Sequence, residues 1–130
     1  MLTTRPRRRA FPGRADQIAR ARDFTRRAIE PCPVLDEAVL LVSELATNAL
    51  EHTATGNGGR FQVTVCRADT SLVIGVSDNG SNKTPQPGLL DPQSENGRGL
   101  GLVELIADRW GHCGGRTGRT VWFELRWKQP

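Results

Sequence analysis

Residues 71–80 read SLVIGVSDNG, and the fold prediction starts from this stretch. Leu72, Ile74 and Val76 recur at every second position, which is the pattern of a β-strand with one buried face. The preceding stretch 61–66, FQVTVC, has the same period, and only a short connection separates the two. We therefore predict a β-hairpin that ends in the polar sequence Asp-Asn-Gly.

Two helices are predicted before the hairpin. Over residues 15–29 apolar side chains recur at helical spacing while arginines fill many other positions, and Pro31 ends the pattern. A second helix is predicted over residues 35–52, with Gly56 beyond its end. After the hairpin, residues 79–96 are polar and proline-rich, and so long a connection in a small domain is typical of a lid.

The C-terminal part is predicted to contain one more helix and one or two strands. The helix runs from residue 101 to about Arg109, and apolar residues then alternate over 121–127. Phe11 is compatible with a further edge strand. This order of elements predicts an α+β fold, a two-layer α/β sandwich whose helices cover one face of a mixed, mainly antiparallel sheet.

Length and charge limit the organisation of the chain. At 130 residues it fits one domain with its own core. Five of the 18 basic residues precede the first acid, Asp16, so the rest of the chain carries 13 basic against 14 acidic residues. We therefore predict a flexible basic tail over residues 1–14 and a nearly neutral domain over 15–130. No base-reading motif accompanies the arginines, so nucleic-acid binding is not expected.

The sequence lacks an apolar stretch of about twenty residues, so no membrane span is expected. It also lacks an apolar secretory segment near its start, which makes a cytoplasmic location the expectation. Cys32, Cys66 and Cys113 are widely spaced and show no metal-ligand pattern. We interpret them as reduced thiols.

Glu44 and Asn48 form the first candidate for a functional feature. They are four residues apart on a predicted helix, so a carboxylate and a carboxamide lie on one face, about one turn apart. Both side chains can reach the same bound group. The solvated face of an amphipathic helix has the same pattern, and this alternative stays open.

The second candidate is Asp78-Asn79-Gly80, directly after the predicted strand. An aspartate at a strand end can accept a hydrogen bond from an exocyclic amine such as that of adenine, and Gly80 permits close approach of a ligand. The tripeptide is also typical of a simple turn.

The third candidate is the sequence GRGLGL over residues 97–102, a glycine-rich loop that leads into a helix. Helix N-termini offer unpaired N–H groups, and glycines let phosphates approach them. Arg98 could add a charge-assisted contact to phosphate. The sequence is neither a Walker loop nor a dinucleotide fingerprint, and a flexible cap is the alternative.

Together and in this order, these three features and ADRWG at 107–111 resemble the superfamily of gyrase-type ATPases, sensor histidine kinases and mismatch-repair ATPases. Within it, the sequence resembles most the anti-sigma-factor serine/threonine kinases. The resemblance extends over residues 35–125 and implies a Bergerat-type, ATP-binding histidine-kinase-like ATPase domain that uses ATP and Mg²⁺.

The resemblance implies a role for each candidate residue. Asn48 would coordinate Mg²⁺, Asp78 would hold the adenine amino group beside Gly80, and Glu44 would act as the general base. The remaining residues would form the loop around the phosphates: Gly97, Arg98, Gly99, Leu100 and Gly101. Many relatives have a basic residue at the position of Glu51. The acidic side chain of Glu51 would repel phosphate if it pointed inward, so it would have to face solvent or assist the metal.

The resemblance further implies a protein kinase that transfers the γ-phosphate of ATP to a serine or threonine of an antagonist protein. Its implied partners are a sigma factor and that anti-anti-sigma antagonist, and a homodimer is compatible with it. The alternative is an ATP-binding regulatory module that binds a protein partner without phosphorylating it.

Overall fold

A computed structural model describes residues 5–52, 54–56, 58–79, 95–115 and 117–129 of the chain. In chain order the elements are β1 (Arg7–Pro12), a 3₁₀ turn (Ala15–Gln17), α1 (Ile18–Ile29), α2 (Leu35–His52), a second 3₁₀ turn (Ala54–Gly56), β2 (Arg60–Arg67), β3 (Ser71–Asp78), α3 (Glu95–Ile106), β4 (Arg109–Gly114) and β5 (Arg119–Arg126).

The five strands form one sheet in the order β1-β2-β3-β5-β4, and all four pairings between neighbours are antiparallel. The predicted α+β fold is therefore confirmed, with a sheet that is antiparallel throughout its described strands. The predicted hairpin is β2 and β3, in which Val63 pairs with Val76.

The core lies between one face of the sheet and the helices. Every second residue of the three central strands is buried, as the alternating pattern predicts. On the helical side, α2 contributes most of the buried residues. The sheet residues of this core are Phe61, Val63 and Val65 of β2, Leu72, Ile74 and Val76 of β3, and Val121, Phe123 and Leu125 of β5.

The predicted flexible tail over residues 1–14 is wrong for its second half, because β1 pairs along its whole length with β2. Phe11 explains the difference. Its side chain is buried, stacks on Phe61 with ring centroids 5.3 Å apart, and meets Phe24 edge-on at 6.1 Å. A single buried aromatic anchor thus holds an otherwise exposed, arginine-rich edge strand on the sheet.

Helix α3 begins earlier than predicted, because residues 97–101 lie inside it rather than in a loop. Each of the three glycines there costs about 1 kcal/mol of helix stability relative to alanine, which is why the sequence favoured a loop. Burial of Val103 and packing of Leu100 and Ile106 against the core stabilise the helix.

Helix α3 also ends earlier, at Ile106 instead of near Arg109. The Asp108 backbone N–H donates to the carbonyl of Glu124 at 2.9 Å, and the Asp108 carboxylate accepts the N–H of Arg126 at 2.7 Å. These two bonds attach the chain to β5 and start β4. Trp127, predicted to be in the last strand, lies just beyond β5, with its ring 5.4 Å from the Arg67 guanidinium.

All three cysteines are free thiols, with Cys113 exposed and the other two half-buried. None of the helices in the described ranges is both long and apolar enough to span a membrane.

Two leucines on helices provide a matched test of this packing. Leu41 on α2 is fully buried, whereas Leu105 on α3 is 80% exposed. Leu41→Ala should lower the free energy of unfolding by about 2–5 kcal/mol, because it leaves a cavity in the core. Leu105→Ala should change it by less than about 0.5 kcal/mol. Urea unfolding followed by circular dichroism measures both, and equal losses would contradict the described position of α2.

Candidate functional site

Asp78 is the last residue of β3 and lies on the helix-covered side of the sheet. Strand alternation puts it on the same side as Ile74 and Val76, which are core residues. Only 2% of its side chain is exposed. A carboxylate so deeply buried requires partners, because burial of a charge is otherwise unfavourable.

One partner of Asp78 is Arg119, the first residue of β5. The two residues are opposite each other in the β3–β5 register, and Arg119 Nη2 donates to Asp78 Oδ2 at 3.2 Å. The Arg119 side chain is 14% exposed. Sequence reasoning missed this arginine. The sequence shows only that Arg119 precedes an alternating strand, and this position does not reveal that its partner is Asp78.

Asn79 has a structural role next to Asp78. Its backbone N–H donates to Thr55 Oγ1 at 2.9 Å, and its side-chain oxygen accepts the backbone N–H of Arg60 at 2.6 Å. Thr55 is fully buried, and a Cβ at Gly59 would lie 2.2 Å from the Asn79 side chain. The end of β3 is thereby attached to the 3₁₀ turn that follows α2.

This attachment brings the C-terminal half of α2 to the same end of the molecule as Asp78. Asn48, one turn before the end of α2, is buried with 9% exposure, and Glu44 is half-buried. Acids elsewhere on the helix, such as Glu37 and Glu51, are exposed. The solvated-face alternative therefore does not describe Asn48. The exposure of Glu51 agrees with the solvent-facing option for this residue.

The predicted phosphate-binding residues are described only in part. Gly80 and the side chains of residues 95–99, which include Gly97, Arg98 and Gly99, lie outside the described parts of the structure. Leu100 is half-buried against the core. Among the described residues, none has an atom within 4 Å of a Cβ placed at Gly101.

The Asn48 amide oxygen, in the described part of the structure, is a hard oxygen donor of the kind that fits Mg²⁺. No group of three or more histidine, cysteine or acidic side chains that could hold a metal is found in that part. Mg²⁺ commonly takes one or two protein oxygen ligands and completes its shell with phosphates and water. The Asn48 amide oxygen can supply one such ligand.

The family model for the histidine kinase-like ATPase domain matches residues 11–125. No curated protein is a significant match to the chain. The matched range begins within β1, ends within β5 and includes Glu44, Asn48, Asp78 and residues 97–101. It covers most of the chain, and ATP binding is the function that fits a domain of this kind. The chain belongs to the histidine kinase-like ATPase domain family.

Proposed function

We propose that this ATP-binding domain is a protein serine/threonine kinase of the anti-sigma-factor type. It would transfer the γ-phosphate of ATP to a hydroxyl of an antagonist protein and would also bind a sigma factor. The observation that carries the proposal is the half-buried Glu44, one helical turn before the buried Asn48, on a helix whose outer acids are exposed.

In this proposal the adenine ring binds at the end of β3. The Asp78 carboxylate would accept a hydrogen bond from the exocyclic amine of the base. Its place at the end of β3 supports this role, because an ionised carboxylate only accepts hydrogen bonds and so pairs with an amine. Gly80, the next-but-one residue, would let the base approach the backbone.

The phosphates would lie between α2 and the start of α3. The first four N–H groups of a helix have no partner within it, and residues 95–98 are the first four of α3. Such groups attract anions, and the glycines nearby leave room for them. Bound Mg²⁺ would neutralise charge on the phosphate oxygens, with Asn48 as one of its ligands.

Glu44 would accept the proton of the acceptor hydroxyl while that oxygen forms its bond to the γ-phosphorus and ADP leaves. Phosphoryl transfer needs mainly positioning and charge neutralisation, so one basic group beside the acceptor suffices. The proximity of Glu44 to Asn48 along α2 supports this role, because the base must lie near the terminal phosphate.

The alternative function is an ATP-binding regulatory module that binds its partner without phosphorylating it. It would use the same pocket but would have no need of a base at Glu44. Incubation with labelled ATP, Mg²⁺ and candidate antagonist proteins separates the two functions. We expect label on a serine or threonine of one candidate, and ATP binding without any transfer would favour the regulatory module.

Asn48→Ala tests the phosphate end of the pocket. The substitution should weaken ATP binding at least about tenfold with Mg²⁺ present, because it removes a metal ligand. It should have little effect in EDTA. Isothermal titration calorimetry in both buffers measures the difference, and thermal melting of the free protein checks that the buried site tolerates alanine. Equal losses with and without Mg²⁺ would argue against the metal role.

Glu44→Gln tests the general base. The substitution keeps the shape of the side chain but removes its basicity, so transfer to the antagonist should fall about a hundred- to ten-thousandfold while ATP affinity is retained. Glu37→Gln is the matched control, since it makes the same change two turns earlier on α2, at an exposed position. Transfer at the wild-type rate by the Glu44 variant would refute the base assignment.

A further inference from the structure

Arg119 has a buried hydrogen-bond donor that the ion pair with Asp78 does not use. Its Nε is inaccessible to solvent and has no hydrogen-bond partner in the described part of the structure, although Nη2 of the same guanidinium donates to Asp78 Oδ2. Buried donors without an acceptor are uncommon and unfavourable, and they call for an explanation. A ligand that brings an acceptor would provide one.

The covalent geometry of arginine limits where this donor points. The guanidinium is planar, its N–H groups have fixed directions, and the Nε–H shares one edge with Nη2. The free Nε–H therefore belongs to the same rigid group as the N–H that binds Asp78. At this edge of the sheet, a carboxylate acceptor and an N–H donor lie next to each other.

The two strands that carry this pair are held in register beside it. Ser77 and Thr120, the adjacent residues of β3 and β5, are joined by a hydrogen bond of 2.8 Å between their hydroxyl oxygens. If either strand slipped by one residue, all its side chains would turn to the other face of the sheet, including that of Asp78 or Arg119. The register of β3 and β5 thus holds Arg119 and Asp78 opposite each other as one preformed unit.

We propose that Arg119 is a second adenine-selecting residue. While Asp78 accepts a hydrogen bond from the amine of the base, Arg119 Nε–H donates to one of the two ring nitrogens that flank this amine, N1 or N7. The amine of adenine is a donor beside a ring nitrogen that is an acceptor. The protein offers the complement, with the Asp78 carboxylate as acceptor and the Arg119 Nε–H as donor. This inference rests on the proposed binding of ATP at Asp78.

Two other roles of Arg119 give different results in the same experiment. If Arg119 only neutralises Asp78, replacement of a ring nitrogen in the ligand will not change its binding affinity. If Arg119 occupies the place of the base and must be displaced, its removal will strengthen ATP binding. Both results would overturn the proposal.

The test compares ATP with 1-deaza-ATP and 7-deaza-ATP, in each of which a C–H replaces one ring nitrogen. Calorimetry on the wild-type protein should show a loss of about ten- to a hundredfold in affinity for one of the two analogues, the size of a hydrogen bond to a charged donor. Arg119→Met should bind ATP more weakly by a similar factor and no longer distinguish that analogue from ATP.

Removal of Arg119 leaves the buried Asp78 without this cation, so folding of the variants must be checked by thermal melting. Arg119→Lys keeps a charge beside Asp78 but lacks the Nε–H, and it too should lose the discrimination. Arg126→Lys, on the same strand with a side chain 56% exposed, is the matched control and should bind like wild type.

The outcomes separate this inference from the proposed function. Absence of ATP binding by wild type would refute both. If wild type binds ATP tightly and binds both analogues with the same affinity as ATP, only the role of Arg119 is refuted. The same conclusion follows if the lysine variant distinguishes the analogue from ATP as well as wild type does.

Discussion

The antiparallel pairing of β3 with β5 is the interaction on which the core and the site both depend. Its register places Ile74 opposite Phe123 and Val76 opposite Val121 on the face that the helices cover. Two residues beyond Val76, on the same face of the sheet, the register places Asp78 opposite Arg119 at the end of the strands. The position of the buried carboxylate therefore follows from the packing of the core.

The second constraint is the attachment of α2 to the end of β3 through Thr55 and Asn79. It places the buried Asn48 at the end of the molecule where Asp78 lies.

Burial of an ion pair is weak evidence for stability, because loss of hydration offsets much of the attraction. We propose recognition as the role of the Asp78–Arg119 pair, since it fixes a carboxylate beside a donor at the shielded ends of β3 and β5.

Periodicity predicted α2, the β2–β3 hairpin and the last strand, because each of these has a regular apolar face. It did not establish β1, since one buried Phe11 holds a strand that otherwise looks like a basic tail. It placed the start of α3 too late, because packing outweighs the cost of the glycines. Asp78 could be chosen from its motif. Arg119 could not, because it pairs with Asp78 across 41 positions of sequence through a register that only the folded sheet defines.

We propose that the Asp78 carboxylate recognises the amine of adenine in this ATP-binding domain. The most direct measurement is calorimetric titration of the wild-type protein with ATP and with inosine triphosphate, in which a carbonyl replaces that amine. We predict that ATP binds and that inosine triphosphate binds at least about a hundredfold more weakly, because its carbonyl oxygen would face a carboxylate, which can only accept hydrogen bonds. Equal affinity for the two nucleotides would contradict the claim.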